Sequence, residues 1–183
     1  MKRKQHFLRL LQVAAVTAAL ASCQPEPNNP NIPEETEGWV PVYSTEKAAH
    51  AVTSEAPRAI ENAGKIYVFG NYLFQVETGK GIHVLDVSHH NNPIKLHFIS
   101  VMGAQEIAIK EKYLYTNNLN DLVVVDISNI AEVKLVNRIP STFHVVNQTV
   151  PPENGYFECV DASKGVVTGW EKKTIKRPEC SRN

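Results

Sequence analysis

Cysteine is scarce in this sequence of 183 residues: there are three, at positions 23, 159 and 180, with no CxxC pair and no histidine cluster beside them. That spacing excludes the usual zinc-ribbon and dithiol-redox arrangements. Neither sign of charge is in excess, with 19 Lys and Arg against 19 Asp and Glu, and no basic stripe runs along the chain. A surface of that kind does not follow a phosphate backbone, so nucleic acid is not an expected partner. GxSxG, HExxH, P-loop and GxGxxG motifs are all missing, and no pair of carboxylates has a spacing suited to acid–base work. The expectation is a protein that is not an enzyme and has no cofactor or metal. Long apolar runs are confined to the start; none elsewhere approaches the ~20 residues a membrane-spanning helix needs.

What is present begins at the N-terminus. Lys2, Arg3 and Lys4 precede an apolar run from Leu10 to Leu20 that only Gln12 and Thr17 interrupt, and Leu20-Ala21-Ser22-Cys23 follows. A charged start, an apolar middle and small residues before a cysteine have the form of a lipoprotein export signal and lipobox. Residues 1–22 are therefore expected to be removed, and Cys23 to carry the acyl (palmitate-type) chains of a lipid anchor. Gln24 stands where an aspartate would favour inner-membrane retention, which points to the cell envelope and its outer membrane, with either face possible. In that oxidising compartment Cys159 and Cys180 form the remaining pair and are expected to be disulfide-bonded.

Residues 23–38, the acylated cysteine and QPEPNNPNIPEETEG, hold four prolines and one large apolar residue, so they read as an extended tether. Residues 39–57 form a flanking segment with a short strand, WVPVY, and a helical turn within 46–52 capped by Ser44. From 58 onward short apolar runs recur between Gly, Asn, Asp and Pro. They predict strands near 58–62, 65–76, 81–87, 94–101, 104–110, 112–117, 121–127 and 133–139. In the tail, 141–183, GYFECVD and VVTGWEKKTIK read as a hairpin around ASKG, stapled by Cys180 as a cap.

An internal repeat organises the middle. GIHVLDVSHHNNPIKLHFIS (81–100) aligns with DLVVVDISNIAEVKLVNRIP (121–140), pairing Asp86 with Asp126 and Ser88 with Ser128. Upstream, Lys65–Val68 is matched to Lys112–Tyr115, which leaves the YLFQVETGKG region as an insertion in the first copy. IHVLDV and LVVVDI are apolar on both faces, as strands buried between neighbouring sheets are. Asp86 and Asp126 end those strands and read as turn formers bonding the amides that follow. The segments IHVLD and LVVVD, each followed by V/I-S and a KL-containing strand, resemble the LVIVD repeat of bacterial cell-surface propeller proteins. The resemblance covers about 58–140. It implies an all-β fold with two four-stranded, β-propeller-like blades, here followed by the β-hairpin cap.

Candidate binding residues are aromatic: Trp39, Tyr72, Phe74 and Trp170. Their convergence on one open face would favour a glycan ligand, whereas their dispersal would favour another envelope protein as partner. His83, His97 and the turn histidines 89 and 90 are weighed as a metal site and read instead as ordinary strand and turn residues. The flanks carry apolar residues at both ends: Trp39, Val40 and Val42 on one side, Tyr156, Phe157, Val166, Val167 and Trp170 on the other. They are expected to cover the outer faces of the two blades and keep the chain a monomer, with association between copies as the alternative.

Overall fold

Short apolar runs punctuated by turn residues fold into three sheets in a computed structural model that describes residues 32–89 and 91–183. The export signal 1–22, Cys23, the tether as far as 31, and His90 lie outside the described residues. Every described strand falls in the unit Glu35–Asn183.

The first repeat supplies β3 (Ala63–Phe69), β4 (Tyr72–Glu77), β5 (Gly81–Asp86) and β6 (Ile94–Val101), joined as an antiparallel meander. A strand from the N-terminal flank, β2 (Val52–Glu55), adds to the outer edge of β6 and makes this sheet five-stranded. The second repeat is a four-stranded meander of β7 (Ile107–Lys110), β8 (Tyr113–Asn118), β9 (Asp121–Asp126) and β10 (Lys134–Ile139). The fold is all-β, and each repeat is a blade-like sheet.

Register corrects the alignment within the repeats. Tyr72 lies opposite Asp86, and Tyr113 lies opposite Asp126. Tyr72-Leu73-Phe74 is therefore the counterpart of Tyr113-Leu114-Tyr115. It is the second strand of its sheet and not an insertion. The expected single strand over 65–76 is two strands around a tight turn, where Gly70 takes φ 60° and its counterpart Glu111 takes φ 55°. Residues 58–62 form no strand, because their backbone amides turn to a buried carboxylate described below. Similarly, β7 starts at Ile107 rather than 104, since the amides of Gln105 and Glu106 donate to the Asn117 side chain.

One core joins the two sheets. Phe74, Val76, Ile82, Val84 and Ile99 of the first sheet pack with Ile109, Leu114, Val123 and Val125 of the second. The Tyr67 hydroxyl donates to the Ile109 carbonyl at 2.9 Å across the seam.

The third sheet draws on both ends of the chain. Its order is β12 (Val166–Lys176), β1 (Glu35–Ser44), β11 (Gly155–Phe157) and β13 (Cys180–Arg182). The expected hairpin between the two tail segments does not form, because β1 lies between them. It runs antiparallel to β12 along its whole length and parallel to β11 at Trp39 and Phe157. β1 also starts inside the stretch read as tether. Gly38 makes this possible: a Cβ there would meet the Ile175 side chain and the Tyr156 carbonyl. The helical turn is one short helix, α1 (Glu46–Ala49), and its cap is Thr45, whose hydroxyl accepts from the Ala48 amide. Ser44 is not free to cap, since it is paired with Val166.

Cys159 and Cys180 are bonded, with 5.4 Å between their Cα atoms. The bond braces β11 against β13, where Phe157 lies opposite Cys180. Reduction, Cys159→Ser and Cys180→Ser should each lower stability by roughly 3 kcal/mol, the chain-entropy value for a loop of this size. Melting with and without reductant measures the loss. Two free thiols found by mass spectrometry in protein taken from cells would refute the pairing.

Candidate functional site

Among the described residues, a buried ionisable pair lies on the first sheet, on the side away from the second. Glu77 and His83 are almost wholly enclosed, and the His83 Nε2 lies 2.9 Å from the Glu77 carboxylate. The amides of Glu61 and Asn62 donate to the same carboxylate. Burial alone would raise the Glu77 carboxyl, but the bond to His83 and the two amides outweigh it and bring it from 4.5 down to about 2. The His83 ring meets Phe98 edge-on at 4.9 Å, and the Arg58 guanidinium lies 3.4 Å above that same Phe98 ring. All of the carboxylate's neighbours are accounted for within the chain. The arrangement therefore pins the 58–62 loop across the sheet and exposes no reactive atom. His97 is in register with Val84 and His83 with Phe98, so the two histidines stand on opposite faces and do not combine as metal ligands.

Asp86 and Asp126 form the turns expected of them. The amides of Ser88 and Ser128 donate to their carboxylates at 2.8 and 2.9 Å. The Ser128 hydroxyl and amide, with Lys112, hold Asp126 down at about 2. The same geometry occurs a third time: Asp161 accepts from the Ser163 amide at 2.9 Å and from its hydroxyl at 2.6 Å. The signal for this turn was in the chain, since Val160-Asp161-Ala162-Ser163 matches Leu85-Asp86-Val87-Ser88 and Val125-Asp126-Ile127-Ser128. It was masked because no run of apolar residues precedes it.

A polar hollow of about 190 Å³ opens beside α1, lined in part by Glu46, His50, Asn120, Asp121, Ser141 and Gln148. Its charged wall is internally satisfied. Arg138 donates to Asp121 at 2.7 Å, to Asn118 at 2.8 Å and to the His50 carbonyl at 2.9 Å. Burial would raise the Asp121 carboxyl; Arg138, the Ser141 amide and His50 more than reverse this and hold it low. Asn120 accepts from the amides of Val145 and Val146. The cluster is a clamp tying the second repeat to α1 and the start of the tail.

The four candidate aromatics do not converge. Trp39 and Trp170 share one face of the third sheet, with Phe157 meeting Trp170 edge-on at 5.7 Å and Lys172 lying 5.0 Å from the Trp39 ring. Tyr72 belongs to the first-repeat sheet. Phe74 is fully buried in the core between the repeats, because it occupies an inner strand and not a projecting insertion.

Exposed apolar side chains lie also at the outer strand of the second repeat. β10 ends its sheet, and Leu135 and Val136 at its bulge are exposed. The corresponding strand of the first repeat, β6, is flanked by β2. Pro140 stands at the place of Ser100, which pairs with Thr53 of β2. Lacking an N–H, it cannot support a strand in the same manner. What this edge offers is an apolar ridge.

The LVIVD repeat family matches the chain twice, over residues 61–97 and 103–140; the first span covers β3 to β5 and the start of β6, and the second covers β7 to β10. Neither a curated protein nor a solved structure matches it.

Proposed function

We propose that this chain, carrying two LVIVD repeats, is a non-enzymatic lipoprotein of the cell envelope whose blade-like domain binds another envelope protein. The observation that carries this reading is the apolar ridge of Leu135 and Val136 on β10, whose outer edge pairs with no described strand. Exposed apolar side chains grouped at one edge are what a protein partner covers. A photo-crosslinking residue at Val136 of the full chain, activated in cells, should join it to one dominant envelope protein. The same residue at the exposed Lys173 should not. Equal, diffuse labelling from both positions would overturn the reading.

The second reading, capture of polysaccharide, rests on Trp39 and Trp170 sharing a face. Phe74 contributes nothing to it. Loss of binding to a labelled envelope glycan in Trp39→Ala, with Val136→Ser unchanged, would favour the glycan.

The anchor is part of the proposal. Acyl chains contribute roughly 0.8 kcal/mol per buried CH₂, so Cys23 is expected to hold the mature protein to the membrane. Cys23→Ala should leave the chain unprocessed or move it to the soluble fraction. Mature-sized variant that stays with membranes through a salt wash would count against the anchor.

A further inference from the structure

The two sheets that form the core do not meet through like faces. Phe74, Val84 and Ile99 of the first sheet face the seam, and their register counterparts in the second sheet are Tyr115, Val124 and Ile139. Those three lie on the far side of the second sheet. Conversely, Ile107 and Ile109 of the second sheet face the seam, and their counterparts Ile66 and Val68 lie on the far side of the first. The seam therefore joins one face of a repeat to the opposite face of the next. Each end of the pair keeps open the half that would receive a further repeat.

Exposure follows this rule. Val68 is 59% exposed, whereas its counterpart Ile109 is 6% exposed within the seam. Ile139 is 48% exposed, whereas its counterpart Ile99 is fully covered. The terminal segments leave Ile66, Val68 and Ile139 exposed, while Trp39, Phe157 and Trp170 pack on one face of the third sheet. The 58–62 loop, with Arg58 over Phe98, covers the half of the first face along β5 and β6. The half along β3 and β4, with Ile66 and Val68, stays open.

We infer that a second copy of this chain fills the gap, the Ala108–Tyr115 part of its second sheet seated on the Ile66–Val68 face of the first, head to tail. The occupant is a second copy because the complement of each open face is found at the other end of the same chain. Ala108 stands at the place of Tyr67, so the contact between copies lacks the hydroxyl bond that Tyr67 makes to Ile109, and it is weaker than the seam within the chain. A contact of this heterologous kind closes as a ring where the rotation permits and otherwise grows as an open chain. It involves neither Leu135 nor Val136, so it stands or falls separately from the partner-binding reading.

The test uses the full chain. Val68→Cys and Ala108→Cys combined should give covalent dimers and larger species with a short thiol-to-thiol cross-linker, because Ala108 stands where Tyr67 reaches Ile109, the counterpart of Val68, and mixing the two single variants should give dimers. Each single variant alone should give none. In sedimentation at micromolar concentration the unmodified chain should run heavier than one chain. Val68→Asp should weaken association by at least about tenfold, since it places a charge in an apolar contact. Its melting temperature should not change, because Val68 is exposed within one chain. A single-chain mass for the unmodified protein together with no cross-linking in the double variant would overturn the inference. So would cross-linking of Val68→Cys to itself as efficiently as to Ala108→Cys.

Discussion

Phe74→Ala is expected to destabilise the domain by about 3–5 kcal/mol, while Tyr72→Ala two residues away changes stability by less than about 1 kcal/mol. The two side chains are in edge-to-face contact at 6.5 Å, yet only one is enclosed. Phe74 fills the seam beside Val76, Val84 and Leu114, and the rigid sheets on either side cannot collapse into the space an alanine would leave. Tyr72 sits at the start of its strand with its ring partly in solvent. Denaturant unfolding of both variants makes the comparison. A Phe74→Ala protein as stable as the parent would mean that the two repeats do not share a core.

Glu77→Ala is the second large effect, expected at about 3–5 kcal/mol because it leaves His83 and two loop amides buried without their acceptor. Glu77→Gln should fall between the two, since its amide oxygen still accepts but carries no charge. The pair also sets a pH dependence. The folded-state value of about 2 lies below the ordinary 4.5, so this carboxylate's stabilisation is complete above pH 4.5 and is lost as pH falls towards 2. Asp126 acts in the same direction over a similar range. Acid unfolding of Glu77→Gln should thus have a shallower dependence on pH than the parent, though not a flat one. An identical acid transition in the two proteins would exclude Glu77 as a contributor.

Much of the domain was legible along the chain because a strand buried on both faces leaves a continuous apolar run. IHVLDV and LVVVDI announced β5 and β9, and the aspartates that end them announced the turns. The matching spacing announced that two sheets would be built alike. The strands beside them were harder to place. YLF and YLY carry the same pattern, but aligning on lysine instead of on cross-strand register moved the first copy out of step and made Phe74 look like a projecting aromatic. Glu77 and His83 could not be paired by inspection either. They are brought together by the turn between β4 and β5, and their burial depends on a loop arriving from 58–62.

The sequence by itself determined the all-β class, the twofold repeat, the Asp–Ser turns and the cysteine pair, because each of these depends on residues close together or on a pattern repeated at fixed distance. Tertiary structure alone decided which faces are covered. Trp39 and Trp170 are far apart along the chain, and only β1 entering between β12 and β11 sets them on one face of one sheet. Ile66 and Ile107 are alike in type and in strand position. One lies in the seam and the other in solvent, because a stack of two repeats has a single shared interface and two ends.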